Sequence, residues 1–241
     1  MTMDLMPLYR ATSEGILSQS LDAQPELVAE EVAVQAHEDF LQASQAGRPD
    51  IAYLAATTGA FIRLRLGQRE QALSERFNAA QALFLLAEDV PTYESVRAEA
   101  QDIGAHAVEI GAFGLVFRCW VQIADCSWFA FDADSDDPPQ RLTQAMRDCA
   151  DALDWAARLP DVGEQAAWLE RLASLVSVVA GEAMSQVWSQ RGLEADAILR
   201  RMAAGTEVLP VDMAFESTGG VPKTAQVASL LSDLESRYGD L

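Results

Sequence analysis

The chain of 241 residues carries 37 acidic and 17 basic side chains, which gives a formal net charge of −20 at pH 7. This acidity argues against direct binding to nucleic acid or to an anionic membrane, because both require a basic protein surface. Half of the residues are apolar, which argues against a disordered chain and allows a sizeable core.

The N-terminal region is predicted to form two helices. A short helix is expected over about residues 4–20, and a longer one is expected to begin at Pro25, which suits a first helical position, and to end near residue 46. The longer helix is expected to bury Leu27, Val28, Val32, Val34, Phe40 and Leu41, and to carry Glu30, Glu31, Glu38 and Asp39 outside.

Three further helices are predicted before residue 112. The first covers about residues 50–66 with Gly67 as its C-terminal cap, and the second covers about 68–88. The third is expected to take Thr92 as its N-cap and to end at Gly111. In the second and third helices, apolar residues recur at alternating steps of four and three, which predicts one buried face on each. The buried face of the second helix is Leu73, Phe77, Ala80, Phe84 and Ala87, and that of the third is Val96, Ala100, Ile103, Ala107 and Ile110.

The stretch 113–131 is apolar on almost every side of a helix and is predicted to be the buried centre of an all-α domain. Its strongly polar residues, Arg118, Gln122 and Asp125, fall on one narrow line. Such residues need partners when buried, either on other helices or among themselves. Their presence also argues against a membrane span.

The C-terminal half is predicted to begin with an acidic turn over residues 132–139 and a helix to about residue 159. Asp161 and Glu164 have the spacing of a capping box, which predicts a long helix to about residue 191. After a short helix to residue 204, an irregular segment over 205–223 and a final helix over 224–241 are expected. No segment alternates apolar and polar residues with a period of two, so no β-strand is predicted. Residues 1–204 are predicted to form a single all-helical domain, either a short α-solenoid or a helical bundle.

A weak internal repeat accompanies the glycine turns. Gly67 and Gly111 lie 44 residues apart, and the same shift aligns Leu73 with Phe117 and Phe84 with Trp128. With Ala72 five residues after Gly67, the pattern resembles the tetratricopeptide repeat over about residues 49–131, although that family repeats every ~34 residues. The resemblance implies a concave surface that binds a peptide or a helix. The alternative is that any antiparallel helical pair with glycine turns has this pattern.

No catalytic residue, metal site or cofactor is predicted. The aspartates at 132–137 resemble a calcium loop, but Asp137 and Thr143 occupy the positions where that loop needs glycine and glutamate. Glu99, Asp102, His106 and Glu109 share one side of a helix without the ligand order of a di-iron site. No secretory signal is recognised, and the cysteines Cys119, Cys126 and Cys149 are expected to be reduced core residues of a cytoplasmic protein.

Two functional hypotheses follow, of which only the second includes enzymatic activity. The first is an acidic helical interaction module, acting as an adaptor, inhibitor or chaperone-like protein, that binds a partner chain with a basic surface; association with a second copy is left open. The second is a helical bundle that binds a small molecule in a pocket beside the central helix, either as a binding protein or as an enzyme. Its candidate ligand-binding residues are Arg118, Trp120, Gln122, Asp125 and Trp128.

Overall fold

A computed structural model of the protein describes residues 5–9, 14–133, 138–185, 193–206 and 209. Over these ranges the chain forms helices and turns without a β-strand, so the predicted all-α fold is confirmed. None of the helices described combines the length and the apolarity needed to cross a bilayer. The helices are α1 (Met6–Tyr9), α2 (Glu14–Ala23), α3 (Glu30–Gln45), α4 (Pro49–Arg65), α5 (Arg69–Leu86), α6 (Val90–Glu109), α7 (Phe113–Ala133), α8 (Pro138–Ala156), α9 (Ala166–Ser185) and α10 (Leu193–Gly205), with 3₁₀ turns at Pro25–Leu27 and Gly163–Gln165.

Very short connections join the helices from α3 to α7. Residues 46–48, 66–68, 87–89 and 110–112 form the four connections, each of them three residues long. Three contain a glycine with positive φ, at 65° for Gly47, 76° for Gly67 and 74° for Gly111. In each of these the residue after the glycine donates its N–H to the carbonyl five residues earlier, at 2.9 Å, which satisfies a C-terminal carbonyl of the helix. The caps predicted at Gly67 and Gly111 are confirmed, and Gly47 forms a third turn of this type.

The described residues divide into two compact units. The first comprises the residues up to Glu88 together with Ala98–Ala112. In it α3 packs on α4 and α4 packs on α5. The seam predicted for α5 is buried except at Ala87, and within the α6 part of this unit Ala100, Ile103 and Ala107 are buried as predicted.

The second unit comprises Asp89–Arg97 and the described residues from Phe113 onward. Here α7 and α8 pack along each other, α9 packs against both, and α10 packs against α8. Twelve residues of α7 are buried, but Phe113 and Phe129 remain 42% and 39% exposed. The predicted face of α8 is buried in full, at Leu142, Met146, Cys149, Leu153 and Ala156.

The N-terminal helix boundaries differ from the prediction. The expected helix over 4–20 is two helices, α1 and α2, and Pro25 opens a 3₁₀ turn instead of the long helix. The N–H of Val28 bonds to the carbonyl of Pro25, three residues back, and Ala29 is extended with φ −136° and ψ 151°. The extended residue separates the turn from α3, which therefore begins at Glu30.

Two predicted helix caps are also wrong. The α6 helix begins at Val90, because the Asp89 carboxylate accepts the N–H of Thr92 at 2.9 Å; Thr92 is inside the helix. Hydrogen bonds from Thr92 lower the pKa of Asp89 below its ordinary value. Asp161 accepts the N–H of Gly163 at 2.8 Å, so the residues expected to form a capping box form a 3₁₀ turn and α9 begins at Ala166.

Several predictions concern residues outside the described ranges. These are the end of the long helix near residue 191, most of the acidic turn, nearly all of the irregular segment 205–223 and the final helix 224–241. The assignment of residues 1–204 to one domain stays a prediction.

Candidate functional site

The polar line predicted on α7 lies inside the second unit. Gln122 is 0% exposed and Asp125 is 4% exposed, whereas Arg118 is half-buried. The side-chain amide of Gln122 donates to the sulfur of Cys126 at 3.7 Å. Burial lowers the pKa of Arg118 from its ordinary value.

Asp125 has an ionic partner on another helix. The Nε atom of Arg171 on α9 lies 2.5 Å from a carboxylate oxygen of Asp125. Burial raises the pKa of Asp125 to about 6, and the charge of Arg171 opposes this effect. The sequence left open whether Asp125 pairs with another helix or with a polar residue of α7, and the structure shows that its partner belongs to another helix.

The two predicted tryptophans pack against the core of the second unit. Trp120 and Trp128 are partly buried against the cluster that contains Phe117 and Val121. The ring of Trp128 also lies beside Phe131, with 5.3 Å between ring centroids. All five predicted ligand-binding residues are thus on α7, but none of them lines the cavity found in this unit.

In the first unit, α3 exposes side chains that were predicted to be buried. Val34 and Leu41 are 41% and 44% exposed, which contradicts their assignment to the core. At 100° per residue, Glu31, Val34, Glu38 and Leu41 fall within about 80° of the helix circumference. We call these four residues the α3 outer surface. They span about 15 Å along the helix axis, at about 1.5 Å per residue.

Small residues explain why α3 turns its larger side chains outward. Its buried face consists of Val32, Ala33, Ala36 and Ala43. Opposite Ala36, the α4 helix has Gly59, and a Cβ atom there would lie 3.6 Å from the Ala36 Cβ. Because the helices approach closely at these positions, no space remains there for the side chains of Val34 and Leu41.

Polar contacts hold α3 in this orientation. Glu75 of α5 is 4% exposed, and its carboxylate lies 2.8 Å from the Nδ1 atom of His37 on α3. Arg63 of α4 reaches the same carboxylate at 3.7 Å and donates to Glu30 of α3 at 3.4 Å. These contacts tie α3 to α4 and α5 and leave its outer surface to solvent.

The carboxylates of α3 differ in how they are partnered. Asp39 accepts hydrogen bonds from the Tyr9 hydroxyl at 2.7 Å and from the Gln35 amide at 2.9 Å. Glu31 and Glu38, by contrast, are exposed and form no ion pair within the part of the chain described. Along the α3 outer surface, two unneutralised carboxylates therefore alternate with two apolar side chains.

The α6 carboxylates that the sequence analysis compared with a di-iron site form ion pairs with arginines. Arg76 contacts Glu99 and Asp102, each at 2.8 Å, and Arg69 contacts Glu109 at 2.7 Å. Across the ranges that the structure describes, no group of three histidine, cysteine or acidic side chains has the arrangement of a metal site.

The three cysteines are all unbridged and buried, as predicted. Burial raises the pKa of the Cys126 thiol to about 12 and that of Cys149 well above its ordinary value. Both thiols are therefore protonated at neutral pH and are poor nucleophiles.

A scan against protein-family models found no match to this chain, and searches of curated proteins and of solved structures likewise found none. Function is therefore inferred from the chain's own geometry and chemistry. The sequence pattern does not locate the α3 outer surface, because it predicts that Val34 and Leu41 belong to the core. The alanines at 33, 36 and 43, spaced for one helix face, are the signal that would have located it.

Proposed function

We propose that this protein is a helical protein–protein interaction module that binds a partner chain through the α3 outer surface. The observation that carries this proposal is the pairing of two exposed apolar side chains with two unpaired carboxylates on a helix fixed from its opposite side. Isolated exposed apolar residues are common, but Val34 and Leu41 share one helix face with two unpaired carboxylates, which gives a basic and apolar partner two kinds of contact on the same face.

The partner has basic and apolar side chains on one surface. An amphipathic helix with lysine or arginine beside leucine-like residues fits, because it buries Val34 and Leu41 and places positive charge near Glu31 and Glu38. The net charge of −20 increases the encounter rate with a basic chain and disfavours acidic competitors. A surface of about three helical turns is small, so binding is expected to be weak and reversible.

The glycine turns support the same class of protein. Three connections share one backbone geometry, which suits the tight turns of successive helical hairpins, including those of a tetratricopeptide-like array. We assign the protein to the adaptor, inhibitor or chaperone-like proteins on this basis. The three buried thiols fit a reducing compartment such as the cytoplasm.

The test compares capture of partner proteins by matched variants. The Val34→Ser, Leu41→Ser variant removes the apolar contacts, and the Glu31→Lys, Glu38→Lys variant reverses the charges. The Glu88→Lys, Glu170→Lys variant is the control, because it makes the same charge change at exposed residues that do not belong to α3. Surface substitutions of this kind change stability by about 0.5 kcal/mol or less, so all three variants are expected to fold.

The proposal requires a protein that wild type and control retain from cell lysate and that both α3 variants lose. Its recovery should fall when the wash is raised from 50 mM to 500 mM salt, because salt screens the charges. The proposal is overturned if no captured protein distinguishes the α3 variants from the control. It is equally overturned if Val34→Ser, Leu41→Ser abolishes self-association in size-exclusion chromatography, since the occupant would then be a second copy.

A further inference from the structure

The second unit contains a cavity of about 320 Å³ that the proposed function does not use. Three helices of this unit line it, each with residues on successive turns. These are Tyr93, Glu94 and Arg97 of α6, Cys126, Ser127 and Ala130 of α7, and Arg141 and Gln144 of α8. We call it the Arg97 cavity. Its volume is at the small end of the range for ligand pockets, which begins at about 300 Å³.

A buried carboxylate next to the Arg97 cavity holds the polar side chains of the lining in place through hydrogen bonds. Asp148 of α8 is 2% exposed and accepts the Ser127 hydroxyl at 2.6 Å and the Gln144 amide at 3.0 Å. The guanidinium of Arg97 donates to the same carboxylate through Nη2 at 3.1 Å and to the Ser127 oxygen through Nε at 3.1 Å. Burial raises the pKa of Asp148, an effect that Arg97 and the other donors oppose.

This network leaves Arg97 with unused donor capacity. Its bonds to Ser127 and Asp148 come from Nε and Nη2, and its Nη1 atom donates to no residue that the structure describes. The side chain is 27% exposed and lines the cavity, so this donor is available to a ligand. Because Asp148 holds the guanidinium in place, little side-chain entropy is lost when a ligand binds.

Two guanidinium groups in the lining, those of Arg97 and Arg141, can hydrogen-bond an anion. The carboxylates that balance their charges are Asp148, which lies behind the wall, and Glu94. Arg141 lies 3.6 Å from Glu94, whose side chain is 64% exposed, so this pair is at the solvent side. Because Asp148 and Glu94 already pair with the two arginines, a monoanion fits the cavity better than a dianionic phosphate.

The remaining wall favours a ligand with an apolar body. Ala130 is 5% exposed and Cys126 is 0% exposed, and the pKa of that thiol, raised to about 12, keeps it uncharged. Tyr93 adds an aromatic ring, which stands 5.8 Å from the ring of Phe129. We propose that the Arg97 cavity binds a small organic carboxylate, with its carboxylate group at Arg97 and Arg141 and its apolar body against Tyr93, Cys126 and Ala130.

The test uses 4-fluorobenzoate as the probe and observes its fluorine resonance by NMR in the presence of the full-length protein. The neutral analogue 4-fluorobenzyl alcohol has the same ring without the charge. Ala130→Phe fills the cavity, and Arg141→Gln removes a charge at its solvent side. Arg158→Gln is the control, because Arg158 makes the same change of charge in this unit but is exposed beside the ring of Trp155.

Wild type and Arg158→Gln are expected to broaden the 4-fluorobenzoate signal, and the alcohol should remain sharp. Affinity should fall about tenfold or more in Ala130→Phe and about three- to tenfold in Arg141→Gln. Thermal unfolding verifies that each variant is folded, and Arg141→Gln keeps the test valid if Ala130→Phe is not. Three results overturn the proposal: no binding to wild type, equal binding of the alcohol, or displacement of the probe by an equal concentration of inorganic phosphate.

Discussion

The Asp125 carboxylate links the burial of α7 to the pH dependence of stability. Its pKa rises from the ordinary 3.8 to about 6 in the folded protein, because burial outweighs the charge of Arg171. Because the pKa of Asp125 is higher in the folded state than in the unfolded state, the folded protein binds this proton more tightly, and the proton stabilises the fold. This stabilisation is fully present below pH 3.8. That contribution is lost as the pH rises through about 6.

We therefore expect Asp125→Asn to be more stable than wild type at neutral pH, although it removes one partner of an ion pair. The neutral amide needs no ionisation inside the core, and Arg171, whose side chain is 36% exposed, can be hydrated. The gain in free energy of unfolding is expected to be about 1–2 kcal/mol at pH 5 and about 3 kcal/mol at pH 7.5. Urea denaturation at both pH values measures it.

The exposed carboxylate of Asp132, near the end of the same helix, supplies the control. Asp132→Asn should show the pH dependence of wild type. If the difference between wild type and Asp125→Asn is the same at both pH values, the ionisation of Asp125 is not coupled to folding.

Single residues also show what the sequence could reveal about the polar sites. The line formed by Arg118, Gln122 and Asp125 was predictable, because all three belong to one helix with a fixed period. The partner Arg171 was not predictable, since it lies on another helix 46 positions further along the chain. The network of Arg97, Ser127 and Asp148 likewise joins three helices, and no local spacing marks it.

At the scale of elements, the buried side of a helix was predicted correctly where apolar residues either fill the helix or form one regular face. The apolar run of α7 and the regular apolar face of α8 determined those helices and their buried sides. At α3 the choice was between two faces of similar hydrophobicity, one with alanines and one with Val34 and Leu41. Tertiary packing decided it, because alanine allows the closer approach to α4.

Close approach between helices also predicts opposite effects for two glycines. At Gly59, inside α4, an added Cβ lies 3.6 Å from both Ala36 and Glu75, which is ordinary van der Waals contact. Gly59→Ala should therefore stabilise the protein by about 0.5–1 kcal/mol, because alanine restricts the unfolded chain and favours helix. Urea denaturation measures the change.

At Gly205, the last residue of α10, an added Cβ would lie 2.7 Å from the Cβ of Leu153. Gly205→Ala should therefore destabilise the protein by about 1–3 kcal/mol through overpacking. The two variants make the same chemical change and control for each other. Equal effects at both positions would show that helix propensity, and not the space around each glycine, determines the outcome.

At the scale of the whole molecule, the net charge of −20 predicts how stability responds to salt. Repulsion among excess carboxylates opposes the compact state, and salt screens that repulsion. Salt also weakens surface ion pairs such as those of Arg201 with Asp151 and Asp154. Each such pair contributes only about 0–1 kcal/mol, so the relief of repulsion should dominate.

Raising sodium chloride from 20 mM to 300 mM is therefore expected to increase the melting temperature by about 2–4 °C, which corresponds to about 1 kcal/mol. The Glu88→Lys, Glu170→Lys variant changes the net charge from −20 to −16, since each substitution adds two positive charges. Its melting temperature should be higher than that of wild type at low salt and should depend less on salt. If salt lowers the melting temperature of wild type, the surface ion pairs contribute more than the repulsion, and the excess carboxylates are too widely spaced to oppose folding.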